Sequence, residues 1–582
     1  MIKLKINNTD VSVPEDSTIL EAANAAGIGI PTLCKHPDLE SSSACGICVV
    51  KIKGAKNKQR ACVTPVYEGM EVVTHDPELV GIRRSTLELI LSNHPNECLT
   101  CARNRTCELQ NLAEEFGVRE NRLPEIVPEL PRDDSTKTIV LEPRKCIKCG
   151  RCVTVCQQKQ DVWALSFLER GLDTRIAPAG DIDLAESPCV RCGQCSAHCP
   201  VGAIYEYDET AKVWEALQDP QKHCVVQIAP AVRVSVGESL GREPGENLTG
   251  QIYASLRRMG FDAVFDTNCG ADITIMEESA EFVERIENDG SRLPLITTCC
   301  PSWVDFMEKY HSDMMEYFSS CKSPHAIVGT LSKTYYAERM GIDPKDVFTV
   351  SIMPCTSKKY EITRSSAMFA SGLQDVDVSI TTREFSRMLR QDGIIIDQQN
   401  ADEKPDPLMG EYSGAGTIFG ATGGVMEAAL RTAKSQITGD ENAELEFDEI
   451  RGLEGVKVMQ TRIGEKEIRV AVAHGLGNVE KVLNEVREAI RNEQESPYHF
   501  IEVMACPGGC IGGGGQAWKV DDAIRRKRTE GLYADDRRQE VRRSHQNESV
   551  KRLYDEFLDA PLSDKAKTLL HTSYTARPEY RK

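Results

Sequence analysis

Twenty-three cysteines dominate the chemistry open to this 582-residue chain, and fifteen of them precede residue 200. Cys34, Cys45, Cys48 and Cys62 come first, spaced C-x10-C-x2-C-x13-C. A C-x2-C pair lets two thiolates grip one iron while the distant cysteines close the other iron of a 2Fe–2S cluster. By spacing alone, a zinc site is served almost as well. His94, Cys98, Cys101 and Cys107 follow as H-x3-C-x2-C-x5-C. That set suits a 4Fe–4S cluster with one imidazole ligand, or a three-thiolate zinc site beside a surface histidine. Then a repeat appears: Cys146, Cys149, Cys152 and Cys156 stand at C-x2-C-x2-C-x3-C, and Cys189, Cys192, Cys195 and Cys199 repeat it before Pro200. In two-cluster ferredoxin runs the fourth cysteine of each run ligates the other cluster. One 4Fe–4S cluster is therefore expected on Cys146, Cys149, Cys152 and Cys199, and another on Cys156, Cys189, Cys192 and Cys195. Gln157 follows the first run where proline is usual, which alters a turn and no ligand. Four clusters in series have one evident use, which is carrying electrons.

The elements that must hold these ligands are readable around them. MIKLKINNTDVSV alternates like a strand, TILEAANAAGI is apolar at helical spacing, and VVKIKG is a strand again, the plan of a small ferredoxin-like domain. From about residue 220 apolar runs alternate with amphipathic helices, as in a sheet covered by helices. The expected strands are CVVQIAP, AVFDT, LPLITT, VFTVSI, VDVSI, IRVAVAH and HFIEVMA, with helices at ADITIMEESAEFVERIEN and NVEKVLNEVREAIRN. Cys299 and Cys300 follow LPLITT, Cys355 follows VFTVSIMP, and Cys506 and Cys510 follow HFIEVMA. Each lies past the carboxyl end of a buried strand, where open α/β sheets build their sites. Isolated buried cysteines are usually inert; four thiolates at three strand ends are better explained by one further cluster.

Composition narrows the class. A formal charge of -19 argues against nucleic acid or an anionic membrane as partner. No run reaches the ~18 apolar residues of a spanning helix, and the N-terminus lacks a signal-peptide pattern. The chain is expected in the cytoplasm, where thiols stay reduced and serve metals rather than disulfides. The strict dinucleotide-binding and Walker A patterns are both missing, so no nucleotide site is expected.

Two resemblances extend this reading. The first two cysteine sets, in series, resemble the N-terminal part of the large iron–sulfur subunit of respiratory complex I. TTCCPSW (297–303), MPCTSKKYE (353–361) and EVMACPGGCIGGGGQ (502–516) look like the three signature segments of the FeFe (iron-only) hydrogenases. The second resemblance implies that Cys300, Cys355, Cys506 and Cys510 hold the 4Fe–4S cubane of an H-cluster. Cys510 would bridge to a diiron subsite carrying CO, cyanide and azadithiolate, supplied by maturation proteins. It implies that Lys358 donates to a cyanide, and that Pro230, Ala231, Met353, Phe419 and Met504 pack around the subsite. It implies a proton path through Cys299, Glu278, Ser319, Glu281 and Arg285. Taken alone, Glu278, Glu281 and Arg285 share a helix face at i, i+3 and i+7 and would pass for a solvated face. His325 stands where the resemblance leads one to expect Gln, and Cys269 where Phe is common; Cys224 and Cys321 receive no role.

The fold expected is multidomain: ferredoxin-like α+β iron–sulfur modules, then an α/β H-cluster domain with a C-terminal helical wrap. The boundaries are 1–78 for the 2Fe–2S domain, 79–135 for the histidine-ligated 4Fe–4S domain and 136–208 for the two-cluster module. The catalytic domain covers 209–524. The segment 525–582, basic at its start, reads as a solvated helix pairing with an acidic body and resembles the small-subunit sequence of the family. The cofactors implied are one 2Fe–2S cluster, three accessory 4Fe–4S clusters and the H-cluster. The partners implied are flavin- and NAD(P)-binding subunits in a hetero-oligomer, and ferredoxin.

Overall fold

The computed structural model describes residues 1–287, 292–440 and 444–580. β1 (Ile2–Ile6) and β2 (Thr9–Val13) form a hairpin through Asn7 and Asn8, both at positive φ. Asparagine tolerates that left-handed conformation, and such a turn matches the twist of the strands. With β3 (Val49–Ile52), β4 (Gln59–Arg60) and β5 (Glu71–Val73) they make a sheet in the order β2-β1-β5-β3-β4. The Ile19–Ala25 helix starts at a capping box, Thr18 with Glu21, and packs Ile19, Leu20, Ala22 and Ala23 onto this sheet. The Pro77–Ser92 helix is tied back by Arg83. Its fully buried guanidinium donates to the carbonyls of Ile47, Val49 and Thr74, which braces the Cys45–Cys48 loop.

The next module is closed by β6 (Ile139–Leu141) pairing antiparallel with β9 (Ile204–Glu206), and it carries a second hairpin of β7 (Ser166–Leu168) and β8 (Arg175–Ala177). The pairing joins the two ends of the repeat, so both cysteine runs face one interior.

All seven strands expected beyond residue 220 form, but they belong to two sheets. β10 (His223–Ile228), β11 (Ala263–Asp266), β13 (Val347–Met353) and β14 (Val378–Thr381) are parallel in the order β11-β10-β13-β14. β12 (Leu295–Ile296), β15 (Val456–Ile463), β16 (Lys466–His474) and β17 (Phe500–Met504) form the other sheet, in the order β12-β17-β16-β15. β15 was not expected. It is an edge strand, antiparallel to β16, in which buried Lys457, Met459 and Ile463 alternate with exposed Val458, Gln460 and Arg462, so it lacks the continuous apolar run of its neighbours.

The Thr267–Glu287 helix lies between the sheets; Asn288, the last residue of the expected helix, lies outside the described residues. Its Cys269 and Ile273 pack with Val225 and Phe265 of the first sheet, its Ile275 and Phe282 with Val470 and Phe500 of the second. A helix apolar on both sides must be buried on both.

The tail wraps the body with helices at Asp522–Arg538, Glu548–Leu553 and Asp564–Leu570. The solvated basic helix expected here is corrected in one respect: Arg525 and Arg528 are buried, not solvated. Arg525 pairs with Asp38 of the first domain and Arg528 with Glu238 at 2.7 Å, while Leu532 and Tyr533 pack with Ile418 and Ile511. A guanidinium is buried at tolerable cost only when paired in this way.

Candidate active site

The loops after β12, β13 and β17 meet in one cavity, although β13 belongs to a different sheet from the other two. Cys299, Cys300, Cys355, Cys506 and Cys510 all line it, with Lys358, Pro230, Met353, Phe419, Met504 and His325. Ala231 does not; it is fully buried behind the wall, where its carbonyl accepts from Gln516 Nε2 at 3.2 Å. Burial pushes the Cys355 and Cys510 thiols up to about 12, and the charge of Cys300 pushes further. Cys506 is raised well above the ordinary thiol range by burial, then by Cys355 and Cys300. Four mutually close thiols out of water are what a metal cluster must deprotonate and what its positive charge then balances. Among the described residues no carboxylate lines the cavity, and Pro230, Phe419 and the two methionines give it an apolar wall. This donor set fits a thiolate-held iron–sulfur cluster beside an apolar compartment, and it does not fit a hard cation.

The glycines of the last loop have a concrete reason. A Cβ on Gly513 would lie 2.2 Å from the Pro354 carbonyl oxygen, and one on Gly514 2.4 Å from that of Cys192. Only glycine lets the two chains approach so closely.

Lys358 is buried, not solvated. Its ammonium donates to Glu361 Oε2 at 2.6 Å and to the Cys299 carbonyl at 3.1 Å. Beside it, burial raises the Cys299 thiol well above its ordinary range, and the charge of Glu278 adds to this. Burial pushes Glu278 up to about 8, against the pull of the Ser319 hydroxyl. Its Oε2 has no partner among the described residues. The Ser319 N–H donates to the Ile296 carbonyl at 2.8 Å, which seats residue 319 beside the strand that delivers Cys299. Ser319 Oγ donates to Glu281 Oε2 at 3.4 Å, and Arg285 donates to Glu281 Oε1 at 2.6 Å and to the carbonyls of Tyr317 and Phe318. The structure thus brings all five expected path residues together.

Sequence reasoning missed the groups that flank this path. Ser320 Oγ lies 2.8 Å from His571 Nδ1, His571 Nε2 lies 3.0 Å from Glu277 Oε2, and Tyr574 OH donates to the Ser319 carbonyl at 2.8 Å. His571 and Tyr574 come from the C-terminal wrap. No local pattern announces a contact between residues some 250 positions apart.

The upstream cysteines also assemble. The thiols of Cys34 and Cys45 lie close enough to shift each other, as do those of Cys48 and Cys62. His94, Cys98, Cys101 and Cys107 line one small cavity, and burial lowers His94 to about 4. Its buried Nδ1 has no partner among the described residues, which suits a ligand nitrogen and not a surface histidine. Cys146, Cys149, Cys152 and Cys199 line another cavity, so the cross-over between the two runs is present in space. Cys156, Cys192 and Cys195 each feel the charge of Cys189.

These groups abut in an order. Ser42 of the first domain donates to the Cys149 carbonyl at 2.8 Å. Arg103, inside the His94 set, feels the charge of Cys199. Both domains therefore converge on the Cys146–Cys199 set. At the other end Thr356 Oγ1 donates to the Arg191 carbonyl at 2.8 Å, and Gln194 Nε2 to the Gly512 carbonyl at 2.9 Å. Cys506 feels the charge of Cys192 directly.

Comparison with known proteins agrees with this geometry. Residues 222–514 match the family "iron only hydrogenase large subunit, C-terminal domain", and 522–577 match "iron hydrogenase small subunit". Residues 1–77 match a 2Fe-2S iron–sulfur cluster binding domain, 83–122 the NADH-ubiquinone oxidoreductase-G iron–sulfur binding region, and 145–203 a 4Fe-4S dicluster domain. The chain is 44% identical to the NADP-reducing hydrogenase subunit HndD of Solidesulfovibrio fructosivorans, with 99% of each chain covered. It is 40% identical to iron hydrogenase 1 of Clostridium pasteurianum, over 98% of this chain and 99% of that one. A solved apo [FeFe]-hydrogenase HydA1 variant from Chlamydomonas reinhardtii aligns with a TM-score of 0.56 and 40% identity, over 63% of this chain and 99% of that chain. The chain belongs to the iron-only, or FeFe, hydrogenases, as a catalytic subunit that carries accessory 2Fe–2S and 4Fe–4S domains.

Proposed function

We propose that the chain catalyses 2H+ + 2e− ⇌ H2 at an H-cluster held by Cys300, Cys355, Cys506 and Cys510. The observation that carries this is the convergence of four ligand thiols, a fifth spare thiol and a buried ammonium in one cavity built from two sheets. Bound there, the H-cluster supplies the redox-active iron at which H2 is made or split. The protein supplies the rest. Lys358 holds an N–H toward the cavity, and Pro230, Met353, Phe419 and Met504 exclude water from it. Cys299 and Glu278 both carry a proton at neutral pH, since burial raises both. Each can give its proton inward and be refilled from Ser319 and Glu281, which suits relay in either direction. Arg285 does not release a proton, so it orients Glu281 and holds its charge.

Electrons are proposed to enter through one 2Fe–2S cluster on Cys34, Cys45, Cys48 and Cys62 and one 4Fe–4S cluster on His94, Cys98, Cys101 and Cys107. Both branches meet at the 4Fe–4S cluster on Cys146, Cys149, Cys152 and Cys199. From there the route runs through the cluster on Cys156, Cys189, Cys192 and Cys195 to the cubane, where Gln194 hydrogen-bonds the Gly512 carbonyl and Cys506 feels the charge of Cys192. Gas chromatography tests the activity: the matured protein is expected to release H2 from reduced viologen. Fully matured protein that releases none would end this reading.

The partner proposed is a flavin- and NAD(P)-binding subunit in a hetero-oligomer, with ferredoxin serving the same entry clusters. Support comes from the complex I-like region at 83–122 and from the relative named as a subunit of an NADP-reducing hydrogenase. The place proposed is the cytoplasm; among the described residues no helix is long and apolar enough to cross a membrane. Anaerobic purification from the native cell is expected to give a particle well above 64.5 kDa that couples H2 to NAD(P). A 64.5 kDa monomer active with ferredoxin alone would refute the complex.

A further inference from the structure

His325 opens the Pro324–Leu331 helix, lines the cavity and is almost fully buried. Its Nε2 lies 2.7 Å from Glu361 Oε2, the same oxygen that accepts from Lys358 Nζ at 2.6 Å. Its Nδ1 lies 3.2 Å from Ser351 Oγ, on β13 two residues before Met353. Burial works against the Glu361 charge, but the Lys358 ammonium and then His325 hold the carboxyl well below the usual carboxylate range. An ionised carboxylate only accepts, so Nε2 carries the hydrogen. Burial and the Lys358 charge lower His325 from its ordinary value, so the ring is neutral and Nδ1 accepts from the Ser351 hydroxyl. The tautomer is set from both ends.

Counting donors shows what this arrangement does. An ammonium has three N–H groups. Lys358 gives one to Glu361 and one to the Cys299 carbonyl, which leaves one for the cavity it lines. A carboxylate with no donor but Lys358 would be free to turn both oxygens onto it and draw that last N–H away.

We propose that His325 is a positioning residue for Lys358: by sharing Glu361 Oε2 it holds the carboxylate to one ammonium hydrogen and keeps another for an anionic cofactor ligand such as cyanide. This rests on reading the cavity as the H-cluster site. The residue acts through Glu361 and Lys358 and need not itself touch the reacting atoms.

The test uses the full chain carrying its iron–sulfur clusters but lacking the diiron subsite, loaded in vitro with a synthetic diiron dicyanide azadithiolate complex. His325→Leu removes the hydrogen bond, and His325→Gln keeps a donor of similar reach. The Leu variant is expected to load about tenfold more slowly, the scale of one hydrogen bond to a charged group. Its cyanide stretching bands are expected to shift, and the Gln variant to recover both loading rate and band positions. Loading and bands unchanged in the Leu variant would overturn the role. So would equal impairment of both variants, which would make His325 a packing residue. A wild-type chain that takes up no complex overturns the reading of the cavity itself, and the role of His325 falls with it; the contrast between variants tests His325 alone.

Discussion

Cys299→Ala is expected to leave every cluster assembled and to remove almost all turnover. In the proposed site Cys299 is the cavity cysteine that the cubane does not need, because Cys300, Cys355, Cys506 and Cys510 complete a four-thiolate set. Its role depends on holding a proton. Burial keeps the thiol protonated at neutral pH, beside Glu278, whose carboxyl is pushed to about 8. Alanine keeps the backbone carbonyl that accepts from Lys358, so the ammonium keeps its anchor. What is lost is the proton of the cavity-lining thiol beside Glu278. Loss of a positioned acid–base group lowers rates by roughly 10²–10⁴-fold, and a broken relay belongs at the upper end. Infrared bands of CO and cyanide report whether the site is intact. A variant that keeps those bands and also keeps a near wild-type rate would show that protons take another route. Loss of the bands would show that Cys299 is structural.

Cys506→Ala is expected to fail at an earlier stage, by losing the cubane. The side chain is buried, and the polar side chains that share the pocket are already engaged, Lys358 and His325 with Glu361 and Thr267 with Gln227. The metal's binding energy is part of what organises the loops after β12, β13 and β17, so a missing ligand costs occupancy as well as activity. Activity should vanish with viologen and with a protein donor alike, because the proposed electron route reaches the cubane beside Cys506, whose thiol feels the charge of Cys192. The accessory clusters should persist and keep their paramagnetic signals on reduction. Iron counting decides the matter: unchanged iron content with unchanged activity would remove Cys506 from the ligand set.

The upstream modules were legible because ligand spacing is a local property. C-x2-C pairs and the repeated C-x2-C-x2-C-x3-C run encode which thiols can reach one cluster, and the cavity lined by Cys146, Cys149, Cys152 and Cys199 shows the cross-over in space. His94 was ambiguous in the sequence; in the structure it is buried among three cysteines with a nitrogen that has no partner among the described residues, which supports the proposed ligand role. The strands of the catalytic domain were legible from continuous apolar runs. β15 was not, because an edge strand with one polar face carries a weaker signal. The basic tail was read as solvated, since charge runs usually are. Arg525 and Arg528 are buried because Asp38 and Glu238, each more than 280 residues away, neutralise them.

By itself the sequence determined the modules, their order, which cysteines group into metal-binding sets, and the strand ends that carry the remaining cysteines. These follow from spacing along the chain, which covalent geometry and helix or strand period make local. Only the tertiary structure decided that those strand ends come from two sheets and meet in one cavity. It alone seated Cys299 beside Glu278, and it alone placed the Cys192 loop against Gly514. It also brought His571 and Tyr574 of the tail to the proton path and set His325 against Glu361. Those contacts join residues tens to hundreds of positions apart. Their geometry is set by how two sheets pack around the Thr267–Glu287 helix, and no periodicity in the chain records that packing.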